Sequence, residues 1–125
     1  MSEIRATTIS DAAGTGPITM TGQSAAKMWA NLNGTGTIAL RDSFNTSSVT
    51  DSGTGVYDFD FTNAMSNANY ASPSSAGNTA GSFRAALTHD GSVVSTTSYR
   101  IRTDNSGSTS ADSVYVHTET LGDLA

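Results

Sequence analysis

Two carboxylates, Asp58 and Asp60, stand two residues apart in the run Val56–Thr62, alternating with Tyr57, Phe59 and Phe61. On a strand this spacing puts both acids on one face, roughly 6–7 Å apart. Carboxylates at such separations hydrolyse glycosides or begin a Ca2+ site. No further acid lies near enough in sequence to complete a cage of about 6–8 oxygens. The plainer reading is a solvated strand face opposite an aromatic one, and it is preferred.

The other reactive side chains are sparse. His89, Asp90 and His117 could form a hydrolytic triad with one of the many serines, but no Gly-x-Ser-x-Gly elbow is present. Two histidines without a third nitrogen or sulfur ligand make a poor metal site. His89-Asp90-Gly91 reads instead as a hairpin tip. Arg100 and Arg102 flank Ile101 and offer bidentate donors to a sugar or phosphate; pairing with acids of a neighbouring strand or subunit is the favoured reading. Trp29, the single indole, could stack on a sugar ring or fill the interior or a subunit seam; filling is favoured. Tyr115 and His117 alternate with Val114 and Val116. Trp29, Arg100, Arg102, Tyr115 and His117 are the candidate contacts for a second subunit or a glycan. No catalytic residue, metal ligand set or cofactor is expected.

Composition narrows the function classes. The 125 residues include no Cys, which removes disulfides, thiolate nucleophiles and Cys-based metal sites. Six Lys and Arg against eleven Asp and Glu give a net charge of −5. The basic residues are scattered, so nucleic acid is not an expected partner. No apolar run approaches the roughly 18 residues of a membrane span, and membrane insertion is not expected. Met1–Thr8 lacks the pattern of a secretory signal. Ser and Thr together number 38, and of the 36% apolar residues sixteen are alanine. Conformational entropy, about 1–2 kcal/mol per residue, does not shrink to match so thin a core. Subunit contacts are therefore expected to supply part of the burial.

The elements that must position these groups are strands. Gly, Ser, Thr and Asn dominate and disfavour helix interiors. Only Gln23–Leu32 could be helical, and it reads equally as a strand. Period-two alternation marks Thr37–Asn45, with Ile38, Leu40, Asp42 and Phe44 on one face. It recurs in Val56–Thr62, Gly81–Thr88, Tyr99–Thr103 and Val114–His117, with a short strand at Asn69–Ser72. Loops fall at Ser72–Gly81, His89–Gly91 and Asp104–Asp112, and Gly-Thr-Gly recurs at Gly14–Gly16, Gly34–Gly36 and Gly53–Gly55. These triplets lack the Lys-Ser/Thr and the helix of a phosphate loop. The expected fold is all-β: an antiparallel two-sheet sandwich, jelly-roll-like, over residues 23–125. Residues 1–22, with only Ile4, Ile9, Ile18 and Met20 as apolar points, read as an extended arm that orders by docking elsewhere.

Three stretches then carry a resemblance. They are Gln23–Asn45 with Lys27, Trp29 and Asn33-Gly34-Thr35-Gly36-Thr37, Ser47–Met65 with Ser47-Ser48-Val49-Thr50-Asp51 and Gly53-Thr54-Gly55, and Ser98–Thr103. Ala64-Met65 followed by Ala68-Asn69-Tyr70 extends the second stretch. Together, from Gln23 to His117, they resemble a family of small bacteriophage virion proteins common in phages of aquatic bacteria, where a short arm precedes a fibre-like β-domain. The resemblance implies a non-enzymatic virion structural protein, a homotrimer. It leaves tail or capsid open; a tail fibre, spike or tail-tip component, made in the host bacterial cytoplasm, is the expected role. The arm would join it to other virion proteins, and the domain would contact host surface polysaccharide. A capsid decoration or head-fibre protein is the alternative, and a glycan-degrading tailspike enzyme the third. Asp58 and Asp60 stand where the family usually carries Thr or Asn, so acidic chemistry there would be particular to this chain.

Overall fold

The computed structural model describes residues 25–79, 81–88 and 94–125. The arm of residues 1–22, the first Gly-Thr-Gly and the His89–Gly91 tip lie outside them. The described residues form eight strands: β1 (Met28–Asn33), β2 (Ala39–Phe44), β3 (Thr46–Gly53), β4 (Val56–Phe61), β5 (Ser74–Gly77), β6 (Ala85–Thr88), β7 (Ser98–Asp104) and β8 (Tyr115–Thr120). Two antiparallel four-stranded sheets result, ordered β2-β1-β8-β5 and β3-β4-β7-β6. The protein is a two-sheet β-sandwich.

Alternation decides which side chains meet between the sheets. The first sheet contributes Met28, Ala30, Leu32 and Val116, and the second contributes Tyr57, Phe59, Phe61, Tyr99 and Ile101. Met65 joins them from the segment after β4. Phe59 stacks on Tyr99 with ring centroids 5.5 Å apart, and Tyr70 closes the cluster edge-on to Phe61 at 5.7 Å. The scarcity of large apolar residues is met by Thr103, Thr118, Thr120 and Ser113, all buried.

Tyr57, Tyr99 and Thr118 pair their hydroxyls, whereas Ser113 Oγ and Thr120 Oγ1 are buried without a hydrogen-bond partner among the described residues. Tyr99 Oη shares a hydrogen bond with Thr118 Oγ1 at 2.6 Å, and Thr118 Oγ1 is also 2.8 Å from Ser74 Oγ. Tyr57 Oη donates to the Gly34 carbonyl at 2.8 Å and accepts from the Ser113 amide at 3.3 Å. Gly34 has to be glycine here, because a Cβ would collide with the Tyr57 hydroxyl and the Ser113 carbonyl. Gly55 follows from turn geometry: at φ +66° it closes the β3–β4 hairpin.

Several local expectations are corrected. Of the ambiguous Gln23–Leu32 region, the part from Met28 onward is strand, within β1 (Met28–Asn33). Asn69–Ser72 is not a strand; it makes a single bridge from Ala71 to Leu121, while Tyr70 packs against the core. Strand β5 falls in the segment read as the loop Ser72–Gly81, and β3 was not foreseen. The β2 residues Ile38, Leu40, Asp42 and Phe44 do not share one face. Asn31 pairs with Asp42 but Leu32 pairs with Leu40, leaving Arg41 as an extra residue in β2. Such a bulge reverses the side-chain alternation. Leu40 thus keeps company with core Leu32, while Asp42 and Phe44 fall beside Asn31 and Trp29 on the outside.

Candidate binding groove

The outer face of the first sheet is built by register. Trp29 lies opposite Phe44 on one side and Glu119 on the other. In the next row outward from it, Asp42, Asn31, His117 and Ser75 stand side by side across β2, β1, β8 and β5. Tyr115 follows, opposite Gly77. Directly paired side chains on one face of an antiparallel sheet stand about 4.5–5.5 Å apart at Cβ, so these residues form one continuous surface. A groove of about 550 Å3 runs along it, lined by Trp29, Asn31, Pro73, Ser75, His117 and Glu119.

Arg41, the bulge residue, braces one end of this surface. Its Nη1 donates to the Leu32 carbonyl at 2.9 Å and to Asn31 Oδ1 at 3.2 Å, and its Nη2 donates to the Val114 carbonyl at 2.7 Å. The guanidinium lies over the Tyr115 ring, 4.8 Å from the centroid. The bulge breaks the ladder, and the side chain of the bulged residue takes up nearby carbonyls. It also fixes the Asn31 amide, whose oxygen faces Arg41 and whose nitrogen is left to donate elsewhere.

The candidate contact residues are divided between the two sheets. Trp29, Tyr115 and His117 come together on the first sheet. Trp29 does not fill the sandwich: it is 38% exposed, because its position on β1 has the parity opposite to Met28, Ala30 and Leu32. Arg100 and Arg102 lie on the second sheet. Arg100 engages Asp58 with two donors, Nε to Oδ1 and Nη2 to Oδ2, the latter at 2.7 Å. Asp58 also accepts from Ser52 Oγ, and Asp60 accepts from Ser48 Oγ at 2.7 Å. The hydrogen bond to Asp58 raises the Arg100 pKa above its ordinary value. Arg102 Nη2 donates to Asp104 Oδ2 at 2.7 Å. Asp58 and Asp60 thus face the same side of β4 but are bonded to neighbours.

Asn31, Glu119 and Arg41 were missed as site residues. For the first two a signal existed: Asn31 shares the parity of Trp29, and Glu119 shares that of His117. Arg41 had none, because its role depends on a bulge that no local pattern marks. Among the described residues no group of three or more His, Cys, Asp or Glu could hold a metal ion.

Fold and groove define a class: an all-β sandwich with an aromatic, polar-lined groove on the outside of one sheet. No family model, curated protein or solved structure matches the chain.

Proposed function

We propose that this chain is a non-enzymatic structural protein of a bacteriophage virion. In this reading it is a tail fibre, spike or tail-tip component, joined to the particle by residues 1–22 and touching the host surface with its β-sandwich. The observation that carries the reading is apolar surface on a domain whose core is eked out with threonine and serine. Phe83 is 62% exposed and Leu87 on edge strand β6 is 40% exposed. The two lie four residues apart in sequence at the β6 edge of the second sheet, and burial between copies there would add what the interior lacks. We assign Phe83 and Leu87 to the contacts of a homotrimer, which leaves the groove on the other sheet open. The motif resemblance from Gln23 to His117 supplies the virion context. The bonding of Asp58 to Arg100 and Ser52 counts against the hydrolase reading of the acid pair.

Sedimentation equilibrium of the full chain at micromolar concentration should return a trimer, and the double variant Phe83→Asp, Leu87→Asp should sediment as a monomer. Immunogold labelling of particles should decorate the tail. Label on the capsid would assign the decoration role instead. A folded monomer carried by no particle would overturn the reading. Removal of residues 1–22 should leave a folded domain that no longer enters particles.

A further inference from the structure

We infer that the groove on the first sheet binds a neutral hexopyranose unit of a polysaccharide. The inference rests on the adhesive reading proposed above and gives it a site and a ligand class. Three features converge. The first is shape: the groove is open and about 550 Å3, room for a sugar ring to lie along the sheet surface.

The second is chemistry. Trp29, part-exposed on the outer face, lies directly opposite Glu119 across β1 and β8. A pyranose ring has an apolar C–H face that packs on an aromatic plane, and hydroxyls at its rim that need both donors and acceptors. Among the described residues the side chains of Glu119, His117 and Ser75 make no hydrogen bond, and the Asn31 amide nitrogen is likewise unengaged. Acceptors (Glu119) and donors (Asn31) therefore border the same indole. On the second sheet, by contrast, Asp58, Asp60 and Asp104 are all bonded to side chains.

The third is charge. Glu119 and Asp42 repel anions, and three of the five Arg41 N–H donors are taken by the Leu32 and Val114 carbonyls and by Asn31. The whole chain carries −5. A carboxylated or phosphorylated sugar would meet two carboxylates, Glu119 and Asp42, against the one guanidinium of Arg41, whereas the hydroxyls of a neutral hexose would donate charge-assisted hydrogen bonds to Glu119. Affinity at one groove is expected to be weak, with Kd of about a millimolar, and to be raised by repetition of the chain in the particle.

Trp29 is the only tryptophan, so its fluorescence reports the groove without a label. The full-length protein would be titrated with neutral tetraoses of glucose, mannose and galactose, and in parallel with an oligogalacturonate. A saturable change in emission with at least one neutral tetraose, and none with the oligogalacturonate, is expected. Glu119→Gln should weaken binding by about tenfold without changing the melting temperature, and Asn31→Ala, which also removes a hydrogen bond from Arg41, should weaken binding by about tenfold. Ser48→Ala, on the outer face of the other sheet, should bind as the parent does. Unchanged emission at about 50 mM of every neutral sugar, an equal response to the oligogalacturonate, or full affinity in Glu119→Gln would overturn the inference. Labelled particles alongside a silent groove would sink this inference and leave the virion reading standing.

Discussion

The two outer faces of the sandwich are built by the same alternation and do opposite things with their polar groups. On the second sheet, Asp58 and Asp60 of β4 are bonded to Arg100 of β7 and to Ser48 and Ser52 of β3, so the charges answer one another across strands. On the first sheet, Trp29, Asn31, His117 and Glu119 stand just as close in register, yet most of their polar atoms face outward. The second face is mostly closed by pairing, with Arg102 Nε and Asp104 Oδ1 of β7 buried without partners, and the first is open. Stabilising cross-strand pairs need only one another, whereas exposed donors and acceptors beside an aromatic bond to water that a ligand can replace. The contrast is the reason the proposed ligand contact is placed on the first sheet, while the second sheet's charges link neighbouring strands.

The comparison is tested most severely from the layer both faces share. Phe59 is fully buried and stacks on Tyr99. Phe59→Ala should cost about 3–5 kcal/mol in urea unfolding, by lost burial and a residual cavity. Both faces should fail together, with loss of β-sheet circular dichroism and of any groove response at one denaturant concentration. Separate transitions for the two would mean that the sheets are not one cooperative unit.

A second perturbation of the same layer is alkaline pH. Burial raises the phenol pKa of Tyr57 and Tyr99, and pushes that of Tyr70 up to about 12. Each phenol holds its proton more tightly in the folded chain than at its ordinary value of 10.0. Their contribution to stability is thus complete below pH 10 and is lost as pH rises through the folded-state values. Absorbance of tyrosinate at 295 nm should therefore include a cooperative component that rises together with loss of circular dichroism, near or above pH 12. Phenols ionising gradually from pH 10 in an intact sandwich would contradict the buried cluster.

What could be read from the sequence follows from the reach of each signal. Strands β4 and β7 declare themselves because Tyr57, Phe59 and Phe61, and Tyr99 and Ile101, alternate strictly with charged residues. Strand β3 has only Val49 as an apolar side chain, and it is an edge strand with little to bury, so no period emerges. Strand β5, Ser74-Ser75-Ala76-Gly77, has the composition of a loop and is a strand because β8 offers it a partner. The split of β2 comes from one extra residue, Arg41, which only the pairing with β1 exposes. The groove shares this dependence. Trp29 and His117 stand out by type, but their union with Asn31 and Glu119 is fixed by the β1–β8 register, which joins segments at opposite ends of the domain.

The two faces should also part under substitution. Asp58→Asn leaves Arg100 facing a neutral amide and weakens the link between β4 and β7. The urea midpoint should fall, and the gap from the parent should narrow in 1 M NaCl, because screening already weakens the parent's ion pair. An unchanged midpoint would mean that the closed face contributes nothing to strand cohesion.

The smallest stability effects are expected on the open face, and there their smallness is the point. Trp29→Phe keeps a flat ring at a position that packs on solvent rather than core, and Glu119→Gln removes a charge that no described residue pairs with. Surface substitutions of this kind usually stay within about 0.5 kcal/mol of the parent, so their melting curves should overlay it. A side chain that costs nothing to change, yet is held in register between an indole and an amide, has no structural task to explain its placement. If Glu119→Gln instead lowered the melting temperature as Asp58→Asn does, the open face would be a second closed one, and its polar groups would already have partners within the assembled protein.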